Sequence, residues 1–384
     1  MKRLALILAL LVASPAGAAG AGLARTPPMG WNSWYAYHCG VTEQGVLANA
    51  QALVDTGLAA RGYRFVNVDG CWEARHRTPG GFLKADPTTF PSGMAALGRK
   101  LHAMGLRFGL YTSAGPTICL HPQPGSYGHY KRDFRTFAKW KVDYVKVDWC
   151  SAPPHNDPVR AYRAIHLAAR GAGRPMIVAV STPGTRKPWR WARAFGQTWR
   201  IGRDANGRWE GVTRSLDADA PLWRYAGPGA WNDPDILQVG SGALSATEAR
   251  AHFSLWAMLA APLLAGHDLG SASAESLATL SNDEVIAIDQ DPAGHQARRV
   301  RRADGIETWV KPLAGHAWAV LFLNRRTGDR QLGVRLKDVP RIPDAAGYTL
   351  RDVWAHASRE VGASEVQQMN LAGHDAVVWR VTPR

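Results

Sequence analysis

DYVKVDWC, residues 143–150, is an apolar β run with two charges set into it. Side chains alternate across a strand, so Tyr144, Lys146 and Asp148 share one face while Val145 and Val147 point the other way. Burying a lysine and an aspartate is costly unless the charges are paired or used. A lysine two residues before Asp148 holds that carboxylate ionised. The segment therefore predicts a buried strand that delivers a ready nucleophilic carboxylate to its end, with a plain structural ion pair as the alternative.

Working outward, other apolar runs end in polar residues: YRFVNVD (63–69) at Asp69, RFGLYTS (107–113) past Tyr111, MIVAVS (176–181) at Ser181 and GQTWR (196–200) at Arg200. Amphipathic patterns near 43–61, 93–105, 127–140 and 158–171 lie between them. Strands alternating with helices predict a parallel sheet, and about eight such units close most economically as a (β/α)8 TIM barrel. Catalytic groups sit at the carboxyl ends of the strands in that fold, where Asp69, Tyr111, Lys146, Asp148, Ser181 and Arg200 converge.

These residues lie in a longer set: RTPPMGWNSW (25–34), VDGCW (68–72), the run 84–115, PGSYGHY (124–130), KVDWC, WRIGRD (199–204), AGPGAWNDPDIL (226–237) and VIAIDQDPAG (285–294). In order and spacing the set resembles glycoside hydrolase family 27, the α-galactosidases and α-N-acetylgalactosaminidases of clan D. The resemblance implies a retaining mechanism with Asp148 as nucleophile and Asp204 as general acid/base. It also implies a sugar-facing set of Trp31, Asp69, Tyr111, Cys119, Lys146, Ser181 and Arg200. Acid/base work asks for a raised pKa at Asp204, which partial burial and the charge of Asp148 would supply and Arg200 would oppose. Asp233 and Asp235 are expected to be turn and supporting carboxylates. Three positions depart from the family's α-galactosidases: Gly70 follows Asp69 where a second aspartate is usual, and Ser181 and Gly184 stand where a glutamate and a bulky apolar residue are common. The expected substrate is an oligosaccharide or polysaccharide with a terminal α-linked galactose. N-acetylgalactosamine, β-L-arabinopyranose and isomalto-type glucose units are the alternatives, as is a catalytically silent sugar-binding protein.

Residues 1–20 read as a secretory signal, with Lys2 and Arg3, an apolar run and an A-x-A pattern at Ala16 and Ala18. The mature chain is then exported, secreted or periplasmic, and free of the membrane. Four cysteines allow three pairings. Cys39 and Cys71 lie beyond the first two strands, and Cys119 and Cys150 beyond the next two. That placement and the resemblance both imply the bridges Cys39–Cys71 and Cys119–Cys150. No metal-ligand spacing stands out among the cysteines and histidines, so no metal and no cofactor is expected.

The net charge is +15, with a cluster at Arg298–Arg302. No nucleic-acid-binding motif accompanies it, so a solvated basic surface suited to acidic polysaccharide or an anionic envelope is expected rather than a nucleic-acid partner. A homo-oligomer is left open. After residue 297 the segments 306–313, 316–324, 333–338, 349–355 and 375–382 predict short strands of an antiparallel β-sandwich that packs on the barrel. The expected division is a signal over 1–20, a catalytic barrel over 21–297 and a sandwich over 298–384.

Overall fold

A computed structural model describes residues 22–384; the signal read over 1–20 lies outside the described residues. Eight strands, β1 (Met29–Asn32), β2 (Phe65–Val68), β3 (Arg107–Ser113), β4 (Tyr144–Asp148), β5 (Ile177–Ser181), β6 (Thr198–Arg200), β7 (Trp231–Asp233) and β8 (Leu263–Ala265), form one sheet. They run in sequence order from β1 to β7, every pairing is parallel, and β8 pairs with β1. The remaining seam is closed just beyond β7, where Leu237 bridges Ala265 in parallel. The sheet is thus a (β/α)8 barrel.

The helices between the strands follow from local chemistry. Glu43–Asp55 starts on Thr42, whose side chain accepts from the Gly45 amide, and ends at Asp55 rather than near residue 61 because Gly57 takes φ 75°. Pro158–Arg170 opens on an Asp157 cap with proline in its first turn, and Ala246–Leu259 opens on a Ser245/Glu248 capping box. Strand alternation sorts the side chains. Phe65, Tyr144, Ile177 and Ala179 fill one layer of the barrel, whereas Val66, Val68, Val145, Val147, Val178 and Val180 face outward into the core under the helices. With both faces covered, the strands read as apolar runs.

Beyond the barrel come β9 (Arg298–Ala303), β10 (Ile306–Leu313), β11 (Ala317–Asn324), β12 (Arg330–Val334), β13 (Gly347–Asp352), β14 (Ala357–Gly362), β15 (Gln367–Leu371) and β16 (Ala376–Pro383). They form an antiparallel six-stranded sheet, ordered β14-β13-β16-β11-β10-β9, facing the β12-β15 pair. The strand expected over 333–338 stops at Val334, and Leu336–Asp338 turns as a short 3-10 segment that buries Leu336. The barrel core runs on into Trp309, Ala319, Leu321, Leu323 and Val378, so the second sheet packs on the helix Ala246–Leu259. Across that junction the buried Lys311 donates to the Ala257 carbonyl at 2.8 Å. No described helix is long and apolar enough to cross a membrane.

Candidate active site

The carboxyl ends of β2 to β6 meet at a pocket of about 260 Å³ whose lining includes Asp69, Tyr111, Cys119, Lys146, Asp148, Ser181, Arg200 and Asp204. Register explains the convergence. Lys146 lies beside Tyr111 on β3 and Ala179 on β5, and Asp148 lies beside Ser113 and Ser181. Lys146 Nζ donates to Asp69 Oδ2 at 3.0 Å and sits 5.4 Å from the centre of the Tyr111 ring. Burial works against the lysine's charge, but the carboxylates of Asp69 and Asp148 outweigh it and carry its pKa above the ordinary value. Asp69 is fixed in turn by the Asn32 side chain at 2.9 Å and the Gly70 amide.

Asp148 accepts two hydrogen bonds on Oδ1, from Ser181 Oγ and from the Trp149 amide, both at 3.0 Å. Burial raises its pKa, Lys146 pulls it down, Asp69 adds to the rise, and the two hydrogen bonds oppose it; the net displacement is upward.

Asp204, on the loop after β6, behaves differently. Arg200 donates to its Oδ1 at 2.9 Å. Burial raises the Asp204 pKa, but the charge and hydrogen bond of Arg200 prevail and hold it below the ordinary carboxylate value. The raised pKa expected for Asp204 is therefore corrected to a lowered one. Asp204 is still 53% exposed, so a ligand covering it has room to change that balance.

Trp31 is not in the pocket. Asn32 and Gly30 point into the barrel, so alternation sends Trp31 outward, where it is fully buried and donates to the His267 carbonyl at 2.8 Å. The tryptophan at the pocket is Trp34, three residues on and half-buried. The first strand's alternation, applied to WNSW, separates the two tryptophans.

Asp235 carries more of the site than the sequence suggested. Its Oδ1 pairs with Arg200 Nη1 at 3.0 Å, and its Oδ2 accepts from Tyr35 Oη at 2.8 Å and the Ala205 amide at 2.7 Å. It holds φ 111°, one of several non-glycine residues in the left-handed half of backbone space at the pocket, with Cys71 and Leu120. Such conformations persist only where the surroundings impose them. Here the disulfides Cys39–Cys71 and Cys119–Cys150 help to do so, and Tyr111 Oη donates to Cys119 Sγ at 3.1 Å.

Two groups place three possible metal donors together, Cys39/Cys71/His121 and Cys119/Asp148/Cys150. Their sulfurs are disulfide-bonded and offer no thiolate to a metal. The arrangement as a whole is one half-buried carboxylate held by a hydroxyl and an amide near an ammonium group, sharing a pocket with an exposed carboxylate held by a guanidinium. Two carboxylates in such different surroundings are chemically able to divide nucleophilic attack and proton transfer between them.

A family model described as Alpha galactosidase A matches residues 26–291, and one described as Alpha galactosidase C-terminal beta sandwich domain matches residues 303–381. The chain is 41% identical to Alpha-galactosidase A of Cellvibrio japonicus over 99% of this chain and 98% of that protein. It is 39% identical to an alpha-galactosidase of Oryza sativa, covering 94% and 86%. The crystal structure of alpha-galactosidase I from Mortierella vinacea superposes with a TM-score of 0.88 at 29% identity, covering 94% of this chain and 98% of that one.

Proposed function

The chain belongs to the alpha-galactosidase family, and we propose that it is a retaining exo-α-galactosidase working through Asp148 and Asp204. The observation that carries this reading is the pair of carboxylates in one pocket with opposite surroundings: Asp148 enclosed and hydrogen-bonded, Asp204 half-exposed beside Arg200. Asp148 attacks the anomeric carbon, and Asp204 protonates the departing glycosidic oxygen. Asp204 then takes a proton from the water that releases the sugar, so the anomer is retained; this geometry needs carboxyls about 5 Å apart. A glycoside covering Asp204 shields it from water and disfavours its charged form, which moves its pKa toward that of an acid.

Asp69, Tyr111, Lys146, Ser181 and Arg200 bind the glycone in this reading, with Cys119 in the wall and Trp34 taking the aromatic place first assigned to Trp31. Charged partners suit sugar hydroxyls because charge-assisted hydrogen bonds are the strong ones. Residues 21–297 form the catalytic unit and 298–384 a supporting sandwich. Residues 1–20 direct export, in keeping with the two disulfides. The substrate is an oligosaccharide or polysaccharide with a terminal α-linked galactose.

Asp148→Asn is expected to abolish turnover of every α-galactoside. Asp204→Asn keeps measurable activity on aryl galactosides whose leaving groups need no proton. NMR of the first-formed product shows the α-anomer. Equal residual activity of the two variants across leaving groups, or an inverted product, would refute the assignment.

A further inference from the structure

Five guanidinium groups, those of Arg224, Arg298, Arg301, Arg330 and Arg341, make no ion pair and no hydrogen bond among the described residues, whereas the neighbouring Arg299, Arg302 and Arg325 are all paired with Asp217 or Glu307. Other arginines of the described residues, Arg163 and Arg170 included, are also unpaired; these five are set apart by their grouping at one ring and one cleft. Arg298 lies 3.2 Å over the centre of the Trp223 ring and Arg224 4.8 Å from the same ring. Arg341 completes the group: burial first, and then the like charges of Arg341 and Arg224, press the Arg298 pKa below its ordinary value. Like charges held together without a counter-charge lower their mutual repulsion when an anion arrives.

On β9, Arg298 pairs with Val310 and Arg301 with Thr308, so both stand on the face of the sheet turned toward the β12-β15 pair. That face opens on a cleft of about 550 Å³ with Arg301, Arg330 and Arg335 among its walls and Ile306, Phe322 and Leu332 on its apolar side. Asp304 and Asp338 also line it, the latter 3.8 Å from Arg335. We propose that this cleft and the adjoining arginine cluster bind an acidic polysaccharide, whose carboxylate or sulfate groups pair with the free guanidiniums. Apolar surface receives the C–H faces of the sugar rings, and Asp304 and Asp338 accept from their hydroxyls. Duplex DNA offers Asp304 and Asp338 no hydroxyl to donate, whereas a polysaccharide does, which favours a glycan over DNA.

Trp223 lies in the connection from the helix Trp209–Asp219 to β7. The cluster is therefore at the amino end of the barrel strands, opposite the pocket of Asp148 and Asp204. A glycan held there leaves the pocket open, so the cleft serves as an anchor. This inference rests on the reading of the chain as a glycan-acting enzyme only for the kind of polymer within reach.

The test is affinity gel electrophoresis of the full chain in polygalacturonate, dextran sulfate and neutral dextran, with hydrolysis of an aryl α-galactoside read separately. Retardation by polygalacturonate assigns uronate recognition and by dextran sulfate sulfate recognition, and neutral dextran has no effect. Arg301→Glu/Arg330→Glu weakens retention by about tenfold or more, since it reverses two of the contacting charges. Hydrolysis stays unchanged. The milder Arg298→Gln/Arg341→Gln weakens retention in the same direction. Arg163→Glu/Arg170→Glu, an equal charge change on the helix Pro158–Arg170, leaves it alone. Absence of retardation in both polyanions at about 0.1 M salt, equal weakening by the helix variant, or tighter binding to duplex DNA overturns the proposal. An active enzyme that is not retained sinks only the anchor, and a retained but inactive one sinks only the catalytic reading.

Discussion

Ser181→Ala should move the acidic limb of the kcat/KM profile to higher pH. The Ser181 hydroxyl donates to Asp148 Oδ1 at 3.0 Å and makes no other donation among the described residues, so its removal acts on Asp148 directly. A hydrogen bond to a charged group contributes about 1.5–3 kcal/mol, and about 1.4 kcal/mol corresponds to one pKa unit. The ceiling is thus a rise of about one to two units. Asp148 keeps the Trp149 amide and the charge of Lys146, and water can fill the vacated space, which cuts the expected rise to about half to one unit. The sign is fixed: the hydrogen bond favours the ionised carboxylate, its loss raises the pKa, and the active form is reached later as pH rises. Because kcat/KM reports the free enzyme, the assay is its value for an aryl α-galactoside at half-unit intervals from about pH 3 to 8. An acidic limb that stays in place or moves down would show that Ser181 does not hold the Asp148 charge, or that another group sets the limb.

Gly70→Asp should fit, since a Cβ there meets the Tyr111 ring at 3.4 Å in a conformation open to any residue. A second carboxylate beside Asp69 is expected to raise kcat/KM for an α-galactoside relative to an α-glucoside by about tenfold or more; no change across a panel of aryl glycosides would mean that position 70 does not read the sugar. Reduction of the unfolded protein should add the mass of four hydrogens, and Cys39→Ser/Cys71→Ser should cost about 3–4 kcal/mol of stability in denaturant unfolding, as expected for a loop of 32 residues. Asp219→Asn should stabilise the protein at pH 7 but little at pH 4. Burial pushes the Asp219 pKa up to about 8 against an ordinary value of 3.8. The native state therefore keeps its proton while the unfolded chain gives it up, and stability falls by about 1.4 kcal/mol per pH unit across that window. Calorimetric Tm values of the variant and parent that run parallel from pH 4 to 8 would refute this.

The barrel and the floor of its pocket were legible because there the periodicity and the chemistry agree. In YVKVD one face must be valine for the core and the other must carry Lys146 and Asp148 to the strand end, so one reading of period two yields both strand and site. Trp31 was misplaced because a motif was carried over as a block, although the same period-two rule separates it from Asn32 and the pocket. The strands β9, β14 and β15 were illegible for a different reason. RRVRRA, ASREVG and QQMNL are edge or half-exposed strands in which charged or amide side chains face solvent, so the apolar signal is weak by construction. The role of Asp235 was hidden more deeply still. Its contacts with Arg200, Tyr35 and the Ala205 amide span up to 200 residues of sequence and depend on a backbone conformation with φ 111°. A local pattern encodes which residues a strand presents, but how one arginine is divided between Asp204 and Asp235 is settled only when three strand ends meet. That division fixes the resting charge of Asp204, so the part of the site hardest to read from sequence is also the part that sets its proton.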